Sequence, residues 1–161
     1  MCSYINTVLI VGLGSIGNRY IEIIKSLFPD ISIVVLRHKK CNQNDVLGLY
    51  KCVSSINDAI LTNPQVAIIT NPASMRQEII KKLALNGIHL LIEKPISNSS
   101  DGLNELIKLC DKNKCKLMVA YNLRFLPSLI KFKQIIHSGI AGDILSVRSE
   151  VGQYLPSWRE G

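Results

Sequence analysis

The decapeptide VLIVGLGSIG, Val8 to Gly17, limits what this chain can fold into more than any other stretch. A β-branched apolar run from Thr7 to Val11 meets a glycine-rich turn, and helical spacing follows, with Ile16, Tyr20, Ile23, Ile24 and Leu27 on one face. Strand, turn and helix are expected in that order. Gly12, Gly14 and Gly17 hold the G-x-G-x-x-G spacing. The first permits a tight turn, the second lets backbone approach a pyrophosphate, and the third allows close helix-on-strand packing. The start of the helix, Ser15, Ile16 and Gly17, offers N–H groups that an anion can use. Dinucleotide binding is the reading this context supports; a glycine turn without a ligand is the competing one.

The same alternation continues. Phe28-Pro29-Asp30 breaks the first helix, and Ile31 to Leu36 reads as a second strand of continuous apolar character, as in a sheet covered on both faces. Residues 37–45 read as loop. A short strand near Lys51 to Val53, a helix from about Asn57 to Leu61, and a fourth strand from Gln65 to Thr70 follow. Met75 to Leu85 predicts a helix ending at Asn86-Gly87, Ile88 to Ile92 a fifth strand, and Ser100 or Asp101 the cap of a helix running to about Lys112. Lys116 to Tyr121 predicts a sixth strand, Pro127 to His137 a helix with proline in its first turn, and Ile144 to Val151 a further strand. The expectation is an α/β fold, a doubly wound, mostly parallel sheet over residues 1–122, with residues 123–161 beginning a second domain.

Composition removes several function classes. The 161 residues are 47% hydrophobic, which suits a folded core, and the N-terminal apolar run is too short for a membrane span and lacks the basic flank of a signal peptide. A cytoplasmic protein without membrane attachment is expected. The five cysteines form no Cys-x-x-Cys pair and the three histidines no ligand spacing, so free thiols and no metal site are expected. The net charge of +7 is spread along the chain without interleaved aromatics, which argues against nucleic acid and for an anionic cofactor or sugar phosphate.

Three further stretches carry chemistry. At the end of the second strand, where an acidic residue would hold a ribose 2′-hydroxyl, stand Arg37 and His38, then Lys39 and Lys40. A guanidinium matches a 2′-phosphate, so NADP is preferred over NAD, the alternative being a solvated basic loop. Thr70, Asn71 and Pro72 end the fourth strand, where they can reach the cofactor's ribose and nicotinamide or form a plain turn. Glu93, Lys94 and Pro95 end the fifth. Lys94 can hydrogen-bond a substrate hydroxyl, unless the tripeptide is only a solvated strand exit.

Taken together, GLGSIG, TNPAS, NGIHLLIEKPIS and VAYNLRFLPSLIKFKQIIHSGIAGDILSVRSEVGQYLPSW resemble the Gfo/Idh/MocA family of NAD(P)-dependent oxidoreductases. The resemblance implies a Rossmann domain, a sugar-like or cyclitol-like substrate and, for the full-length protein, a homo-oligomer. By the family's pattern Lys94 is the catalytic-site lysine, Glu93 stands beside the cofactor, Asn122 and Arg124 wall the nicotinamide and substrate, and Gln153 to Trp158 begin the second domain. Arg76 departs from the pattern, since many members carry a histidine there. The family's substrate domain, with its acid/base Asp and His, is expected after the tryptophan region, so the 161 residues alone should bind cofactor and turn over little. A catalytically inactive nucleotide-binding or redox-sensing module is the alternative.

Overall fold

In the computed structural model, residues 4–37 and 50–152 are described. His38 to Lys40 and Gln153 to Trp158 lie outside them. Contacts divide the chain into two units, Met1–Tyr121 and Asn122–Gly161.

Six parallel strands form the first unit's sheet: β1 (Thr7–Val11), β2 (Ser32–Leu36), β3 (Lys51–Val53), β4 (Val66–Ile69), β5 (His89–Ile92) and β6 (Leu117–Val119). Their order is β3-β2-β1-β4-β5-β6, the doubly wound arrangement in which strand order reverses between β1 and β4. Helices α1 (Ser15–Leu27), α2 (Ile56–Leu61), α3 (Arg76–Leu85) and α4 (Leu103–Lys112) connect them.

The continuous apolar strands follow from burial on both faces. Side chains alternate across a strand, so Leu9, Val11, Val34, Leu36, Ala67, Ile69, Leu90 and Ile92 join one core with Ala59 of α2, Ile80, Leu83 and Ala84 of α3, and Leu106 and Cys110 of α4. Their neighbours Val8, Ile10, Ile33, Val35 and Ile68 join the other core with Ile21 and Ile24 of α1. One register row then crosses the whole sheet: Val53, Leu36, Val11, Ile69, Ile92 and Val119 are successive partners at the strand ends. Whatever follows those residues stands on one rim.

Three expectations are corrected. The α4 cap is Gly102 rather than Ser100 or Asp101; its φ of 73° is left-handed backbone that glycine adopts without a Cβ penalty. Ser99 and Asp101 instead bond each other within the preceding turn. Ile144 to Val151 is not a strand. A strand needs a ladder partner, and among the described residues none pairs with it. Free thiols are found at Cys110 and Cys115, both buried, whereas Cys52 is disulfide-bonded; folding, not sequence spacing, decides which cysteines meet.

The second unit contains a 3-10 turn at Asn122–Phe125 and α5 (Pro127–His137), whose proline takes a first-turn position that needs no N–H.

Candidate functional site

The residues that follow the aligned strand ends are Gly12, Arg37, Thr70 and Glu93, and the backbone ladder runs on into them. Gly12 N–H donates to Leu36 O (3.0 Å), Arg37 to Val53 O (3.0 Å), Thr70 to Val11 O (2.8 Å) and Glu93 to Ile69 O (2.9 Å). Register alone therefore brings four separated stretches of sequence together at the reversal of strand order.

Each glycine of the first loop has its own reason. Gly12 turns the chain with φ +96°, and a Cβ there would meet Asn71 N at 2.9 Å. At Gly17 a Cβ would meet Gly12 O at 2.4 Å, so no side chain fits between α1 and the turn. Gly14 differs, because among the described residues nothing lies within 4 Å of its missing Cβ. No described protein atom requires that glycine; a ligand packed on the backbone would. The first helical hydrogen bond runs from Asn18 N–H to Gly14 O (3.0 Å), which leaves the N–H groups of Ser15, Ile16 and Gly17 outside the helical ladder, and α1 has neither a side-chain cap nor a first-turn acid. That end of α1 is electropositive and open to an anion.

A cleft of roughly 530 Å³ adjoins the loop, lined by Gly12, Leu13, Gly14, Arg37, Thr70, Asn71, Pro72, Met75, Arg76 and Ile79 among others. The Thr70 hydroxyl lies 3.0 Å from both Val11 O and Gly12 O and ties the β4 loop to the glycine turn. Asn71 is only 9% exposed, and among the described residues neither its carboxamide nitrogen nor its carboxamide oxygen has a hydrogen-bond partner. Buried amides left unpaired cost about 1–3 kcal/mol, so this one marks a place where a polar ligand group completes the structure. Open Gly14, the helix end and the orphaned amide fit a dinucleotide.

Glu93 is held from α1, its carboxylate accepting from the Tyr20 hydroxyl at 2.8 Å. Burial, then that hydrogen bond and the charge behind it, push the Tyr20 pKa up to about 12. Lys94 follows on the exposed rim, joined to Pro95 by a cis peptide bond. Asn122 and Arg124 belong to the second unit and are exposed there.

Two residues that the sequence did not single out are structural members of this rim. Tyr20, read from the sequence as a face residue of the helix, is Glu93's partner. Arg76, read as a departure from a pattern, is 5% exposed and bonds three backbone carbonyls: Nε donates to Asn71 O (2.7 Å), and Nη1 to Glu93 O and Pro95 O. A cation among the buried positions of α3 was the available signal.

The chain is similar to known proteins in sequence and in fold. D-xylose dehydrogenase of Paenarthrobacter nicotinovorans is 29% identical over 113 residues, 63% of this chain and 29% of that protein. Inositol 2-dehydrogenase of Rhizobium meliloti is 24% identical over 137 residues, 84% of this chain and 42% of that protein. The chain thus spans less than half the length of these curated relatives. Among solved structures, scyllo-inositol dehydrogenase of Lactobacillus casei with bound NAD(H) and scyllo-inositol superposes with a TM-score of 0.77 at 19% identity, covering 87% of this chain and 43% of that one. The WlbA dehydrogenase of Chromobacterium violaceum with NADH and UDP-GlcNAcA gives 0.78 at 19% identity, over 88% and 42%. At that identity these two establish the fold. The family model described as the oxidoreductase family, NAD-binding Rossmann fold, matches residues 6–121, and the chain belongs to that family, Gfo/Idh/MocA.

Proposed function

We propose that this chain is the cofactor-binding portion of a dehydrogenase that moves hydride between a nicotinamide cofactor, NADP in preference to NAD, and a sugar-like or cyclitol-like alcohol or carbonyl. The observation that carries the reading is the shared rim, where the open Gly14, the unpartnered Asn71 amide and the Glu93-Lys94-Pro95 turn follow adjoining strand ends. The dehydrogenases among the relatives, for xylose and inositol, support the substrate class.

When bound, the nicotinamide supplies the hydride acceptor or donor. Ser15, Ile16 and Gly17 would hold the pyrophosphate through their N–H groups, while Thr70, Asn71 and Pro72 face the ribose and nicotinamide. Glu93 stands beside the cofactor. Lys94 carries an ammonium that would hydrogen-bond the substrate oxygen and stabilise its alkoxide-like charge, while the hydroxyl proton passes to or from the acid/base pair expected of the family's substrate domain. Asn122 and Arg124 would contribute to the wall around both. Turnover by the 161 residues alone is expected to be low, because the relatives are more than twice as long as the region they share with this chain.

Support for NADP comes from residue 37. Arg37 lines the cleft beside Gly12 and Gly14, at the position where an acid would favour the ribose 2′-hydroxyl. His38, the second basic candidate, lies outside the described residues. Parallel fluorescence titrations with NADPH and NADH test the choice. NADPH should bind more tightly by roughly 1–3 kcal/mol, the scale of a hydrogen bond to a charged group, and Arg37→Ala should erase the difference. Equal affinities in the wild type, or a preference that survives Arg37→Ala, would remove Arg37 from the site.

A further inference from the structure

We infer that Arg76 is a positioning residue for Lys94, fixing the turn that presents the lysine relative to the cofactor cleft. The inference rests on the reading of Lys94 as the group that meets substrate. A cation is poorly placed at the first residue of α3, because the N-terminal end of a helix is electropositive. The side chain is also buried and makes no ion pair among the described residues. Burial lowers its pKa, and the Glu93 charge only opposes that shift. Such a group survives where its buried donors find acceptors.

The donors of Arg76 meet backbone carbonyls of two loops. A single nitrogen, Nη1, donates to the carbonyls of Glu93 and Pro95, the residues on either side of Lys94, and Nε donates to the carbonyl of Asn71. The planar guanidinium thus sets the Lys94 turn and the Asn71 loop in one fixed relation, which a flexible ammonium cannot do. The next residue of α3 continues the grip, with Gln77 Nε2 donating to Ser97 Oγ (3.0 Å) and Asp101 O (2.9 Å). Opposite, Tyr20 of α1 holds the Glu93 side chain. Lys94 is left exposed on a backbone clamped from both sides, free to reach a substrate from a defined base.

Amide NMR of the 161-residue chain, with and without NADH, tests this. In Arg76→Ala the order parameters of Asn71, Lys94 and Ile96 should fall while those of Val11, Gly12 and Ser15 hold. NADH should bind more weakly than to the wild type, because the loosened Asn71 lines the cleft, and even at saturating NADH the Lys94 amide should lose the NADH-induced shift it shows in the wild type. Arg76→Lys, which keeps the charge without the fork, should behave like Arg76→Ala and serves if the alanine variant does not fold. Unchanged order at Lys94, a loss of order spread over the sheet, or failure of both variants to fold overturns the inference. If wild type shows no NADH response at all, the nucleotide reading fails, and the order parameters of the free chain still decide the role of Arg76.

Discussion

Tyr20 is the residue at which the structure makes its plainest pH statement. Its phenol is protonated over a wider range folded than unfolded, since its pKa rises from 10.0 to about 12. The folded chain therefore holds a proton that the unfolded chain has lost between those values, so the stabilisation is complete below pH 10 and is lost as pH climbs through about 12. Thermal melts across that window should show a steeper alkaline loss of stability in the wild type than in Tyr20→Phe, and phenolate absorbance should show one tyrosine titrating late. A Tyr20→Phe chain with the same alkaline slope would contradict the Tyr20–Glu93 bond. Single residues also mark where sequence reading stops. Gly12 and Gly17 are legible because a left-handed turn and a close approach of α1 need a residue without a Cβ. The partners of Arg76 are backbone carbonyls, which any sequence supplies, so nothing in the residues at 71, 93 and 95 announces the clamp.

Elements were legible where their signal is local. The first helix, the brief β3 and the proline-started α5 need only periodicity and breakers from their own residues, and each stands where its pattern falls. Ile144 to Val151 has an apolar β-branched flavour, but a strand depends on a partner that sequence does not name. The α3 helix gives the quantitative test at this scale. Leu83 is fully buried against the sheet and Leu85, two residues on, is 60% exposed. Leu83→Ala should cost about 2–5 kcal/mol in urea unfolding, and Leu85→Ala no more than about 0.5 kcal/mol. Similar costs at both would mean that α3 does not present the face described. Burial raises the thiol pKa of Cys110 on α4 and pushes that of Cys115, after the helix, up to about 12, while Cys115 Sγ donates to Ile88 O at 2.8 Å. Both should resist alkylation at neutral pH until the chain unfolds.

For the whole molecule, both hydrophobic cores and every lining residue of the cleft lie before Tyr121. A chain ending at Tyr121 should lose only the helical far-ultraviolet circular dichroism of α5 and keep that of α1 to α4 and the sheet; a larger loss would assign part of the fold to the second unit. The central claim is that the rim binds a dinucleotide through a glycine that the protein itself does not need. It is tested most directly by titrating NADH into the wild type and Gly14→Ala while following the melting of both. The account predicts saturable binding by the wild type, weakened about tenfold or more by Gly14→Ala, or roughly 1.4 kcal/mol, with stability changed by less than about 1 kcal/mol. A wild type that binds no NADH, or a Gly14→Ala chain that binds it equally well, would contradict the account.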